Sequence, residues 1–271
     1  MYTHLILRYG ELFLKGKNRR FFEQKLLKNL QKQLPNKEIF TPHGRIILNY
    51  FDQHTILRKI FGLVSYSPAI KVEKDILKIQ QAAIKLTQPL TGTFRVDTSR
   101  ADKRFPLTSP QLNQSIGEYI ETHTSLTFSL KQAQHLISIE INHDAAYIFT
   151  ETISCVGGLP VGVEGSVVTL IENQSSLLAA ILLMKRGCDI IPLGFNKTDI
   201  PLLQKYSPQK VELQLVNTFK DIEHLAKDKI IVSGQTFDHY QKYDTSLVIV
   251  RPLIAYDETR VREELEYFQK I

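Results

Sequence analysis

The chain has 271 residues, with 34 Lys+Arg against 28 Asp+Glu, 43% hydrophobic content, two cysteines and no tryptophan. That length suggests about two domains with substantial cores, and two cysteines without a short spacing exclude a disulfide scaffold and a zinc ribbon. The start, Met1-Tyr2-Thr3-His4-Leu5-Ile6-Leu7-Arg8, lacks the basic n-region of a signal peptide, and no apolar run approaches the roughly 20 residues of a spanning helix, so a cytoplasmic globular protein with no membrane partner is expected.

The charge is unevenly placed. Residues 1–62 carry twelve Lys+Arg against four Asp+Glu, residues 63–155 nine of each, and residues 156–271 thirteen against fifteen. A basic excess confined to one end points to a local anionic partner, with a solvated helix face as the plainer reading.

In chain order, His4–Tyr9 reads as a strand. Asn18 can cap a helix whose apolar stripe is Phe22, Leu26, Leu27 and Leu30, and Pro35-Asn36 ends it. Glu38–Thr41 and Arg45–Tyr50 read as strands around Pro42-His43-Gly44, Asp52 caps a short helix through Ile60, and a strand follows at Ser65–Val72. This βαββαβ order is that of a ferredoxin-like unit.

A helix over Glu73–Leu86 then leads to a strand at Thr93–Thr98, a basic loop to Phe105, and a helix opening at Thr108 or Ser109 with Pro110 in its first turn. Leu136–Asn142 and Ala145–Thr150 form a hairpin, and the glycine-rich Thr152–Gly165 reads as a connector. Beyond it, apolar strands at Val167–Ile171, Asp189–Leu193, Lys229–Val232 and Leu247–Val250 alternate with helices at Ser175–Arg186 and Glu258–Phe268. Continuous apolar strands between helices imply a parallel sheet covered on both faces.

Two basic clusters could meet a polyanion. Lys15, Lys17, Arg19 and Arg20 stand at the start of a helix, where cations oppose the dipole unless an anion such as phosphate is the partner. Arg95, Arg100, Lys103 and Arg104 lie beside Phe105, an arrangement suited to clamping phosphates while a base stacks. The competing reading puts Phe105 in the core and lets Asp97 and Asp102 neutralise their neighbours.

The loop Glu172-Asn173-Gln174-Ser175-Ser176 stands at a strand-to-helix junction, where α/β domains bind ligands. It has no glycine for a phosphate cradle, offers a carboxylate, and its serines look like helix caps. Cys188 reads as core packing, Cys155 is less clear, and the eight histidines show no metal-ligand spacing.

With these residues in place, the chain resembles the 4-thiouridine synthetase (tRNA sulfurtransferase) family along nearly its whole length. Leu7-Arg8-Tyr9-Gly10-Glu11 with Leu14-Lys15-Gly16-Lys17-Asn18-Arg19 is similar to its N-terminal motif. Phe94-Arg95-Val96-Asp97-Thr98, Arg104-Phe105-Pro106-Leu107, Leu112-Asn113 and Ile116-Gly117 resemble its THUMP domain. Gly157-Gly158-Leu159-Pro160-Val161-Gly162, Lys185-Arg186-Gly187 and Arg251-Pro252-Leu253-Ile254 resemble landmarks of its ATP-pyrophosphatase domain. A short archaeal group with a degenerate pyrophosphatase loop is a closer match, through Gly44-Arg45-Ile46-Ile47 and Ser65-Tyr66-Ser67-Pro68-Ala69.

The resemblance implies an α/β chain with an α+β N-terminal part. A ferredoxin-like domain (1–72) and a THUMP domain (73–155) come first, then a reduced Rossmann-like (adenine nucleotide alpha hydrolase-like) parallel-sheet domain (156–271). It implies a tRNA partner held at the acceptor stem and 3′ end, with Lys15, Lys17, Arg19 and Arg20 in the first domain's share; Arg45 is a further candidate RNA contact. Arg95, Arg100, Lys103 and Arg104 make up the THUMP share, with Phe105 beside them as a further candidate RNA contact.

In the family the third domain adenylates a uridine with ATP, and a persulfide cysteine supplies sulfur. Here Glu172-Asn173-Gln174-Ser175-Ser176 replaces Ser-Gly-Gly-x-Asp-Ser, so both glycines are gone. The expectation is a tRNA-binding protein with no catalytic residues, cofactor or metal. The alternatives are an active sulfurtransferase with an altered ATP site, or a scaffold docking a tRNA-modification enzyme; a homodimer stays open.

Overall fold

The computed structural model describes residues 1–10, 16, 18–42 and 44–271. The elements run β1 (His4–Arg8), α1 (Arg19–Gln33), β2 (Ile39–Phe40), β3 (Ile46–Asn49), a 3₁₀ segment (His54–Lys59), β4 (Ser65–Val72), α2 (Ile76–Thr87), β5 (Gly92–Arg100), α3 (Ser109–His123), β6 (Leu126–Phe128), β7 (His135–Ile141), β8 (Ala146–Phe149) and β9 (Ile153–Ser154). There follow β10 (Ser166–Leu170), α4 (Gln174–Lys185), β11 (Asp189–Gly194), α5 (Pro201–Tyr206), β12 (Gln214–Leu215), α6 (Phe219–Leu225), β13 (Ile231–Ser233), β14 (Ile249–Val250) and α7 (Glu258–Lys270). No described helix is long and apolar enough to cross a membrane.

Local chemistry accounts for most boundaries. Thr108 and Gln111 form a reciprocal capping box at the start of α3, and the Asp75 side chain accepts from the Lys78 N–H to open α2. Asn18 is itself in helical conformation and makes no capping hydrogen bond, so the expected cap does not form. The helix expected after Asp52 is a 3₁₀ segment, since Gly62 (φ 101°) turns the chain before a full α-helix can develop. A Cβ on Gly62 would also lie 3.1 Å from both Leu26 and Pro160, so the position needs glycine twice over. The short parallel strand β6 carries no turn signal ahead of it and was not expected.

Two compact units interleave along the sequence. The first comprises Met1–Arg8, Lys37–His54 and Ser65–Ser154; the second Tyr9–Asn36, Thr55–Val64 and Cys155–Ile271. The first holds one sheet in the order β2-β3-β1-β4-β8-β7-β5-β6, with β9 on β4. Strand β4 makes it continuous: Ser65–Ala69 pair with β1, and Ile70–Val72 pair with β8. Helices α2 and α3 cover one face, where Ile79, Leu112, Ile116 and Ile120 meet Phe94, Val96, Ile137 and Ile139.

The opposite face is closed by an ion triad. Glu140 on β7 accepts from Arg8 Nη2 at 2.8 Å and from Arg45 Nε at 2.9 Å, and its side chain is only 9% exposed. Arg8 also donates to Ser67 Oγ at 2.9 Å and lies 4.9 Å from the Phe149 ring centre. Arg45 precedes β3, which stands four places from β7 in the sheet. In a flat sheet that separation would be about 19 Å, too far for these side chains to meet, so the sheet coils. Ile6, Ile47, Ala69, Tyr147 and Phe149 pack together inside the coil. Burial pushes the Glu140 carboxyl up, but the charges of Arg8 and Arg45 outweigh it and hold the group below its ordinary value.

The second unit holds a five-stranded parallel sheet, β12-β11-β10-β13-β14. Leu178, Ile181, Leu203, Tyr206, Leu265 and Phe268 cover one face, and Ile222 and Ala226 of the α6 region cover the other. Helix α1 belongs to this unit, where its buried Asn29 donates to the Val161 carbonyl at 3.0 Å.

Replacing Glu140 by Gln leaves two half-buried guanidinium groups without their counter-charge. Urea unfolding at pH 7 should show a loss of about 2–4 kcal/mol, somewhat below the range for fully buried pairs. Because the folded pKa is depressed, this stabilisation is complete above the ordinary value of 4.5 and fades as pH falls through the folded value. The gap between native protein and variant should therefore narrow in acid; a gap independent of pH would contradict the triad.

Candidate functional site

Residues alternate faces along a strand, and Arg95, paired in register with Leu136, is exposed on the face of β5 opposite α2 and α3. Arg100 turns to the other side and is half-buried. It donates to the Leu107 carbonyl at 2.7 Å, the Phe105 carbonyl at 3.3 Å and Ser109 Oγ at 3.3 Å, so it organises the loop into α3. Lys103 is exposed at the loop tip.

Asp102 anchors that loop. Its carboxylate accepts from Lys74 Nζ at 2.7 Å and from Arg104 Nε at 3.0 Å, and these bonds hold its pKa well below the carboxylate range. The Arg104 side chain nevertheless remains 80% exposed. Phe105 is 8% exposed and belongs to the core of the first unit. The expectation of a base stacked on Phe105 is thus corrected: its ring face is already packed against apolar side chains. The Arg45 guanidinium, by contrast, is only partly exposed and is held by Glu140.

In the second unit, Arg20 is exposed, while Arg19 donates to Glu23 at 2.7 Å. Lys15 and Lys17 lie outside the described residues.

The parallel sheet has its topological switch between β10 and β13, and ligands of such sheets bind at the carboxyl ends there. The loop after β10 occupies this crevice, and its polar groups satisfy one another. The Asn173 side chain accepts from the Ser176 N–H at 3.1 Å. The Ser176 hydroxyl accepts from the Glu172 and Asn173 N–H groups at 3.2 and 3.4 Å. Ser176 is completely buried, while Glu172, Asn173 and Gln174 are exposed.

Groups from across the switch also approach the loop, although a cavity lined by Asn173, Gln174, Ser175, Thr236, His239 and Glu258 stays open beside it. A Cβ on Gly234 would lie 2.4 Å from the Ser176 nitrogen, so the chain leaving β13 runs directly against the loop backbone. Tyr243 donates to the Glu172 carboxylate at 2.8 Å and accepts from Gln235 Nε2 at 2.8 Å. Its ring stacks on Phe219 at 5.1 Å. Arg251 donates to Gln235 Oε1 at 2.9 Å and lies over the Tyr240 ring at 4.8 Å. Burial first, with the Glu172 hydrogen bond adding to it, pushes the Tyr243 hydroxyl up to about 12, so it stays a donor. Three loop amides already have acceptors, and a carboxylate stands among them.

Known proteins place this arrangement. A model of the ThiI ferredoxin-like domain matches residues 4–67, and one of the THUMP domain matches residues 73–151. A "probable tRNA sulfurtransferase" of Mycoplasmopsis synoviae is 38% identical over 256 residues, covering 88% of this chain and 68% of that protein. The chain belongs to the tRNA sulfurtransferase family. A Moorella thermoacetica relative of the same name is 37% identical over 221 residues, and the match spans 78% of this chain and 56% of that one. The chain therefore spans little more than half the length of that family member.

Among solved structures, PH1313 from Pyrococcus horikoshii has a TM-score of 0.87 at 31% identity and covers 98% of this chain and 99% of its own. A 4-thiouridine synthetase solved with RNA and bound ATP has a TM-score of 0.85 at 21% identity over 99% of this chain and 85% of that one, which establishes the shared fold. The ferredoxin-like and THUMP parts followed by a parallel-sheet domain are thus as expected from the sequence.

Sulfur chemistry of the kind the family resemblance implies needs a thiolate. Burial pushes the Cys155 thiol up to about 12 despite Arg58 nearby, and burial followed by Glu164 raises Cys188. Burial thus disfavours the thiolate form of both. Tyr243, Gln235 and Gly234 were not singled out in the sequence, because they lie in a polar stretch without periodicity and reach Glu172 and Ser176 only through the fold.

The capping bond of Asn173 can be weighed directly. Asn173→Ala should lose about 1 kcal/mol in urea unfolding, and Asn173→Gly only a few tenths. Native-like stability of Asn173→Ala would contradict the self-satisfied loop.

Proposed function

We propose that this chain is a tRNA-binding member of the tRNA sulfurtransferase family that does not carry out ATP-dependent thiolation, acting in the cytoplasm in or alongside tRNA modification. Its working parts are residues 1–72 and 73–155, which grip the acceptor stem and 3′ end, and residues 156–271, kept as a folded but nucleotide-free domain. The observation that carries this reading is the loop at the switch point. The amides of Glu172, Asn173 and Ser176 already bond Ser176 Oγ and Asn173 Oδ1, and Glu172 is tied to Tyr243.

Adenylation depends on donors preorganised toward phosphate charge. Here those donors are internally engaged, and a carboxylate about 4 Å from a phosphate would be repelled by around 4 kcal/mol at an intermediate dielectric. The raised thiols of Cys155 and Cys188 point the same way. On the RNA side, the reading is supported by exposed Arg20, Arg95, Lys103 and Arg104 and by the family's name.

The second reading, an active sulfurtransferase with a rebuilt ATP site, is favoured by 38% identity to a protein bearing that name. A scaffold that docks a modification enzyme is compatible with the first reading and adds a protein partner to it.

Calorimetry of the full chain with Mg-ATP should show no micromolar binding. Mass spectrometry of tRNA incubated with ATP and a persulfide donor should show no 4-thiouridine. Binding to tRNA should weaken steeply with salt, with a log–log slope near −0.9 per duplex phosphate contact. ATP-dependent 4-thiouridine would overturn this reading and establish the second; salt-insensitive or absent RNA binding would overturn both.

A further inference from the structure

Helix α1 has one face that the fold uses and one that it does not. Phe22, Leu26, Asn29 and Leu30 are buried, and the Asn29 bond to the Val161 carbonyl fixes how the helix is rotated. The outward face carries Arg20, Gln24, Lys28, Gln31 and Lys32, all exposed. At 100° per residue these five fall within an arc of about 120°. They form one stripe rather than a scatter.

That stripe has no internal counter-charge. The helix contains one acid, Glu23, and it accepts from Arg19 Nε and from the Tyr9 hydroxyl, each at 2.7 Å. Arg20, Lys28 and Lys32 make no ion pair among the described residues. Lys28 and Lys32 repel each other one turn apart, and Arg20 opposes the dipole at the amino end. Lys32 alone suits its place in the last turn. An unpaired stripe that the helix itself disfavours is what an external polyanion would stabilise.

We propose that the outward face of α1 is a phosphate track for helical RNA, with Arg20, Lys28 and Lys32 contacting successive backbone phosphates and Gln24 and Gln31 donating between them. The proposal rests on the tRNA-binding reading and extends it well beyond the start of the helix. Residues four apart rise about 6 Å along the axis, so Arg20, Gln24, Lys28 and Lys32 make a regular row that can follow one strand. The buried face holds the row rigid, which limits the ordering cost of binding. The stripe contains a single exposed apolar side chain, Phe21 at 54%, and so lacks the apolar face by which interfacial helices enter a membrane.

The test compares the full-length native protein with the pair variant Lys28→Gln/Lys32→Gln and with a control, Lys197→Gln/Lys227→Gln, which removes the same charge from exposed positions elsewhere in the second unit. Binding to tRNA and to an acceptor-stem RNA duplex is measured across a salt series, with circular dichroism verifying the helix. The α1 variant should lower the magnitude of the salt slope by about 1.8, or 0.9 per lost contact, equally for both RNAs, and the control should leave it unchanged.

An unaltered slope in the α1 variant, or the same loss in the control, overturns the track while native binding leaves the tRNA reading standing. No salt-dependent binding by the native protein overturns both. Loss of binding to phosphatidylserine vesicles in the α1 variant, with RNA binding kept, also overturns it in favour of a membrane surface.

Discussion

The carboxylate of Glu140 reaches Arg8 on β1 and Arg45 just ahead of β3, and this contact fixes the form of the first unit. Arg45 and Glu140 are four strands apart in order yet 2.9 Å apart in space. The sheet must coil for them to meet, and coiling is what buries Ile6, Ile47, Tyr147 and Phe149 on a face that α2 and α3 do not cover. The strands of the ferredoxin-like and THUMP parts also form one continuous sheet, since β4 belongs to both ladders. The charge pattern follows from the same contact. Arg8 and Arg45 hold the coil closed, while Arg95, Lys103 and Arg104 stay exposed outside it.

The second unit poses a contrasting problem at its sheet's switch point. A phosphate-binding loop there would present backbone amides without acceptors of their own. In this chain the amides have acceptors within the loop, Gly234 lets the neighbouring strand press against the loop backbone, and Tyr243 reaches over to Glu172. The apolar interior around Leu178, Ile181 and Phe268 does not depend on any of these groups. A packed α/β domain can persist whatever its switch-point loop binds, because packing and the loop use different residues.

The sequence made the fold legible wherever a periodic pattern met a specific boundary. Strand β4 begins and ends at the expected residues, and α3 opens at Thr108 and Pro110 because a capping box is a local device. The short elements α5, β12 and α6 were less legible, since none is long enough to show a period. The site divides in the same way. The missing glycines of 172–176 could be read directly, whereas Tyr243 and Gln235 could not. Phe105 and Arg45 illustrate the remaining difficulty. A basic or aromatic residue in a motif looks alike whether it faces a ligand or a buried carboxylate, and only the fold separates the two.

The proposed RNA surface and the proposed lack of nucleotide binding can both be read at once by amide hydrogen exchange on the full chain. Added tRNA should slow exchange in α1 and in the loop between β5 and α3. Added Mg-ATP should leave the amides of Glu172, Asn173 and Ser176 at the rates of the free protein. Slowed exchange of those three amides with ATP, or no protection anywhere with tRNA, would contradict the account.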